Sequence, residues 1–258
     1  MQVSINERLR LGLPPERYMP LQCHCSHANG QYPFDPWHSL SCLCEKGSSV
    51  TTRHDDVKYA LAHWATKLGG RVKVEPRGLD RKGFDDRLPP PRARRRGGGR
   101  GRAPGLAEDR QQGAEEVKVG GSGKVFDLFI WGLGQPIALD VTVVHPLAPS
   151  HVVQSAADPE SVLEQAEAEK HREYDGLADR VGAKFFAFAV ETTGRLGNDA
   201  LSFIRHLIQE GARFKHLWAP KEVVQGIYRT VAIAIARGNA NIVQSNLTKS
   251  RLADWRDG

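Results

Sequence analysis

Between residues 52 and 68 apolar side chains recur at helical spacing, at Val57, Leu61, Trp64, Ala65 and Leu68, and Gly69-Gly70 follows as a stop, so the pattern predicts an amphipathic helix. Residues 71–75 alternate as a short strand that ends at Pro76. Two β-rich apolar runs come later, at 124–131 and 137–144, joined by Gly132-Leu133-Gly134-Gln135-Pro136, which is hairpin chemistry with a slightly long loop. A helix over 161–181, a buried strand over 184–191 and a helix over 198–210 follow, with Gly194 and Gly197 marking the turn between the last two. One more helix is predicted over 220–237, with a loosely held tail after Gly238, and no internal repeat is visible.

Two stretches lack either period. Residues 1–50 are rich in Pro, Gly, Ser, His and Cys and cannot assemble much core unaided; residues 77–122 fill with Arg, Gly and Pro, and 84–122 reads as a disordered insertion. The chain divides into a module over 1–50, a main domain over 51–218 and a C-terminal helix and tail over 219–258. The main domain has the α/β order helix, three strands, helix, strand, helix, an α-βββ-α-β core.

A chain of 258 residues and 28.5 kDa supports one good-sized core. Its hydrophobic share of 40% and charged share of 26% are ordinary for a soluble protein, and no apolar run approaches the roughly 20 residues that span a bilayer. Polar and charged residues stand where a signal peptide needs its apolar stretch, so an intracellular, non-membrane protein is expected. The net charge of +6 is local: residues 87–105 hold seven arginines and no acid, so the rest of the chain stands at −1. The arm that includes Arg94, Arg95, Arg96, Arg100 and Arg102 therefore suits salt-sensitive, sequence-independent contacts with phosphates.

Candidate chemistry begins with the hairpin. Asp127 and Asp140 are equidistant from the bond between Leu133 and Gly134, so a symmetric turn places them directly opposite each other, with Cβ atoms about 4.5–5.5 Å apart on one face. A slip of one residue would separate them. A lone strand aspartate reads as a strand end or an arginine partner. Two in register, embedded in apolar strands where unpaired charge is costly, read as a site for Mg²⁺ or Mn²⁺. Lys170 is the proposed positive partner: with Tyr174 it shares a face of the 161–181 helix with the small Ala166, though a solvated surface lysine would fit the same pattern. Glu75 could add a ligand or cap a strand edge, and Glu191 is a further candidate.

All four cysteines, Cys23, Cys25, Cys42 and Cys44, lie in the first 44 residues. Clustered thiols in an intracellular chain favour Zn²⁺ over disulfides. Two ligand sets are open, Cys23, Cys25, His38 and Cys42, or the four cysteines, with His24 and His27 as substitutes.

Taken together, these residues resemble the restriction-like endonuclease region at the C-terminus of the reverse-transcriptase polyproteins of site-specific non-LTR retrotransposons. The matching elements, over roughly residues 20–235, are the Cys/His knuckle, Arg53-His54-Asp55 opening a helix, Val-Glu75-Pro76, Phe-Asp127-Leu, Leu-Asp140-Val-Thr-Val, Lys170 with Tyr174, and Glu191-Thr-Thr-Gly194. The resemblance implies a PD-(D/E)xK fold with the hairpin aspartates as its metal pair. Phe126 stands where the motif has Pro, and Thr142 where it has Lys. In this family a helix lysine with a tyrosine one turn on takes the lysine's role, and Lys170 and Tyr174 fit that variant. The resemblance also favours the zinc set with His38. It implies a nuclear, metal-dependent endodeoxyribonuclease that nicks a DNA strand for retroelement integration, with RNA binding open. The alternative is a catalytically decayed, zinc-dependent nucleic-acid-binding protein on the same scaffold.

Overall fold

A computed structural model describes residues 22–23, 32–33, 36–41, 48–76, 125–215 and 220–257. The 84–122 insertion lies outside them. In chain order the elements are β1 (Gln22–Cys23), β2 (Tyr32–Pro33), α1 (Pro36–Ser41), α2 (Ser48–Lys67), β3 (Arg71–Val74), β4 (Leu128–Trp131), β5 (Ile137–Val144), α3 (Val152–Ala157), α4 (Ser161–Val181), β6 (Lys184–Glu191), α5 (Asn198–Lys215) and α6 (Pro220–Asp257).

The main sheet is mixed, with strand order β3-β4-β5-β6: β3 and β5 each run antiparallel to β4, and β6 runs parallel to β5. β1 and β2 pair as a separate two-stranded ribbon. The parallel pair is reached by a crossover through α3 and α4, as parallel neighbours require. β6 is buried along all but its first residue, and β5 through Val141, which explains why both read as nearly continuous apolar runs and not as alternating ones.

Helices cover both faces of the sheet. Ile137, Leu139 and Val141 of β5 and Phe186, Phe188 and Val190 of β6 pack with Leu61 and Trp64 of α2, Phe203 and Leu207 of α5 and Ile227 and Val231 of α6. Ala138, Phe185 and Ala187 face the other way, against Tyr174, Ala178 and Val181 of α4. The period-2 alternation of the strands thus sends Asp140, in step with Ala138, toward α4. α4 stops where Gly182 takes a left-handed φ of 71°, the usual glycine-dependent end of a helix, which lets the chain turn directly into β6.

The tail expected after Gly238 is a correction: α6 continues unbroken to Asp257, and Asn239, Ile242, Val243 and Asn246 are buried. Ile242 and Val243 pack with Leu40 of α1 in a small separate cluster. Gly238 has the sequence character of a breaker, but it marks a close approach, since a Cβ there would collide with Cβ and Cγ of Arg53 on α2. Gly226 has an equivalent role, because a Cβ there would meet the Trp64 ring. That ring is pinned by its Nε1–H bond to Thr230 Oγ1 at 3.1 Å. Gly226→Val is therefore expected to destabilise the protein by about 1–3 kcal/mol through overpacking, read as a lower urea midpoint at unchanged m. A midpoint within error of the parent would show that α2 and α6 are not locked together there.

Candidate active site

The β4–β5 ladder pairs Leu128 with Leu139, Phe129 with Ala138 and Ile130 with Ile137. The ladder ends at Leu128, and Asp127, the residue before β4, reaches β5 through its side chain. Asp127 is anchored twice: its Oδ2 accepts the Val141 N–H at 2.7 Å and lies 3.0 Å from His54 Nε2. Asp140 is 4% exposed, and its Oδ2 lies 2.7 Å from Lys170 Nζ, on α4. Tyr174, one turn along α4, lies near the same carboxylate, and each raises or lowers the other's tendency to ionise. The Tyr174 ring packs with Phe126 and Phe185 in a three-ring cluster, with centroids 5.5 Å from each of them.

The electrostatics follow from these neighbours. Burial raises the Asp140 carboxyl above the ordinary range and the nearby Asp127 charge adds to that, while Lys170 and Tyr174 oppose it. Burial, and then the Asp140 carboxylate, push the Tyr174 hydroxyl far up, so it remains a hydrogen-bond donor. The hydrogen bond to Asp127, outweighing burial, raises His54 above the usual histidine range.

A second layer, not foreseen from sequence, supports the first. Lys58 on α2 is 1% exposed and pairs with Asp55 Oδ1 at 2.7 Å and Glu75 Oε1 at 2.6 Å. Burial works against the ammonium, yet Asp55 and Glu75 outweigh it and hold Lys58 above the normal lysine range. Glu75 has φ 46°, a left-handed conformation that a non-glycine residue adopts only under constraint. Its N–H donates to Asp127 O at 2.9 Å, so the strained turn is tied to the aspartate's own backbone. The Glu75 carboxylate is directed to Lys58 and not to the aspartate pair. The signal for Lys58 was present: His54, Lys58, Leu61 and Ala65 form one helical stripe, and a lysine in an otherwise apolar stripe needs carboxylate partners.

Glu191 is engaged elsewhere. Its carboxylate accepts from Arg195 Nη2 at 2.7 Å and Thr193 Oγ1 at 2.5 Å, which closes the turn after β6. Of the zinc candidates, His24, Cys25, His27, Cys42 and Cys44 lie outside the described residues; Cys23 contributes backbone to β1, and His38 sits on α1. Arg94, Arg95, Arg96, Arg100 and Arg102 also lie outside them.

Among the described residues no three His, Cys, Asp or Glu side chains form a ready metal-ligand cluster. A Mg²⁺-like ion does not require one, because it keeps several waters and is commonly held by one or two carboxylates. Asp127 and Asp140 fit such an ion: both are hard oxygen donors, and the raised Asp140 carboxyl beside a second carboxylate is relieved by added positive charge. Among the described residues no helix is long and apolar enough to cross a membrane. No protein-family model matches the chain and neither does any curated protein, so its function rests on the chemistry of these side chains.

Proposed function

We propose that this protein is a divalent-metal-dependent endonuclease that nicks DNA, with Asp127, Asp140, Lys170 and Tyr174 as its reaction centre. The observation that carries the reading is that Asp127 Oδ2 accepts the N–H of Val141, the residue after Asp140, while Lys170 Nζ lies 2.7 Å from Asp140 Oδ2. The element order α2, β3, β4, β5, α4, β6 around a mixed sheet supports a restriction-endonuclease-like core, the arrangement implied by the resemblance to the retrotransposon endonucleases. A basic arm and a zinc knuckle beside such a centre would supply non-specific phosphate contacts and positioning.

Asp127 and Asp140 would hold the ion. When bound, Mg²⁺ or Mn²⁺ stabilises charge on the reacting phosphate and lowers the pKa of an attacking water. Lys170, about one-quarter exposed at the mouth of the pair, donates to the water or to a phosphate oxygen as negative charge develops. Lys170 holds the Asp140 carboxylate, while Val141 N–H holds that of Asp127, so neither must reorganise during the reaction.

The test is conversion of supercoiled plasmid to open circles with Mg²⁺ or Mn²⁺, with chelator as control. Lys170→Met is expected to slow nicking by about 10²–10³-fold with little change in DNA affinity, the effect of losing one donor to developing charge. A folded, zinc-loaded parent that binds DNA but never nicks it with either metal would replace the proposal with a nucleic-acid-binding protein on the same scaffold.

A further inference from the structure

Away from the aspartate pair, a second polar cluster gathers round one imidazole on α4. His171 follows Lys170 directly, and its ring nitrogens each face a carboxylate: Nδ1 lies 2.8 Å from Asp175 Oδ1 and Nε2 lies 3.1 Å from Asp199 Oδ2. Asp199, in the first turn of α5, accepts the Ala187 N–H of β6 through that same oxygen. Ala187 is the residue that the parallel ladder sets beside Asp140. The circuit closes at the reaction centre, because Asp140 holds Lys170, the neighbour of His171. We propose that His171 is a positioning residue for Lys170: as an imidazolium it clasps α4 to Asp199 and so sets the lysine against Asp140, and loss of its proton releases the clasp and slows nicking. The inference rests on the nuclease reading and adds its regulation by pH.

The geometry calls for the charged ring. A neutral imidazole carries one N–H, so its other nitrogen would turn a lone pair on a carboxylate at hydrogen-bond distance, whereas the imidazolium donates to both. The groups around it are Asp175 and Glu167 on its own helix, Asp199 on α5, and the Phe185 ring of β6, edge-on at a centroid distance of 5.1 Å. Glu167, buried one turn before His171, accepts the Asp199 N–H at 2.9 Å, which holds the same two helices together from the other side. Successive helical residues project about 100° apart, so any rotation of α4 that parts His171 from Asp199 also swings Lys170 from Asp140. Burial works against the imidazolium, yet Asp175 and Asp199 outweigh it and hold His171 above the ordinary histidine range. The clasp is therefore fully made below the ordinary histidine pKa and is lost as pH rises through the raised one.

The test follows single-turnover nicking in Mg²⁺ by the full, zinc-loaded chain from about pH 6 to about pH 9, beside NMR of the labelled protein, which reads the His171 pKa itself. A metal-bound hydroxide alone makes the rate climb with pH. The expected result is a rate that stops climbing at the His171 pKa, and a ratio of His171→Lys to parent rates that grows at least about tenfold from the acid to the alkaline side, because the new ammonium stays charged. His171→Gln should slow the parent by about tenfold and leave Lys170→Met no slower than it already is, since the histidine acts through the lysine. The rate profile and the NMR titration need only the parent, so the proposal is tested even if no variant folds. A parent rate that climbs straight through the His171 pKa, the same break in folded His171→Lys, or equal slowing of parent and Lys170→Met by His171→Gln overturns the role of His171 and leaves the nuclease reading standing. No nicking at any pH overturns both.

Discussion

Asp140→Asn is expected to lower nicking by about 10³-fold or more while the fold survives, because the amide keeps the shape of the side chain and loses the charge that a divalent ion and Lys170 both need. The stability of the variant separates loss of chemistry from loss of structure. Burial and the Asp127 charge raise the Asp140 carboxyl in the folded protein above its value in the unfolded chain. The metal-free native state therefore binds that proton more tightly than the unfolded state, and the parent gains stability as pH falls through the raised pKa. At pH 8 without metal the charged Asp140 is a cost, so Asp140→Asn should melt no lower than the parent, and its advantage should shrink as the pH is lowered. Added Mg²⁺ or Mn²⁺ should reverse the order: at a hundredfold excess over Kd the parent gains about 2.7 kcal/mol and the variant gains little. Thermal melts in chelator and in metal, at two pH values, check all three statements. A variant that melts well below the parent in chelator would show that Asp140 is chiefly a structural partner of Lys170.

Sequence exposes those features of the site that local rules hold. Apolar runs about a short glycine-containing loop set the hairpin register, and with Leu128 facing Leu139 the side chain of Asp127 comes close enough to bond the N–H of Val141, the residue after Asp140. The bounds of α4 and β6 follow from helical spacing, from Gly182 and from an apolar run that both sheet faces bury. Residues whose roles depend on distant chain segments stay hidden. Lys58 is buried because Glu75 arrives from the far side of a strained turn, and Glu75 is drawn away from the aspartates by that same lysine. His54 sits in register with Lys58 on α2, but its contacts with Asp127 and Val141 are made 73 and 87 residues along the chain. Gly238 resembles a helix end because glycine most often is one, and only the packing of α6 on Arg53 gives it another meaning.

That contact leads to the largest expected effect on stability. Arg53 is 3% exposed; its Nη1 donates to Asn239 Oδ1 at 3.0 Å, and burial lowers its pKa to about 10. Asn239 in turn donates from Nδ2 to the Thr192 carbonyl at 2.8 Å, and the Thr192 hydroxyl lies 2.7 Å from His145 Nδ1. One amide on α6 thus bonds both a buried cation on α2 and a buried carbonyl just beyond β6. Asn239→Ala strips both, and a hydrogen bond to a charged group together with a neutral one amounts to about 3 kcal/mol, a large share of the roughly 5–15 kcal/mol that holds a typical domain. Arg53→Met added to Asn239→Ala should recover some of the loss, since it removes the unsatisfied charge while keeping an unbranched stem beside Gly238. The double-mutant cycle therefore reads a positive recovery of about 1 kcal/mol or more, of the order seen between directly contacting groups. Equal urea midpoints for Asn239→Ala and the parent would mean that Arg53 finds water or another acceptor, and that the C-terminal half of α6 covers α2 without holding it.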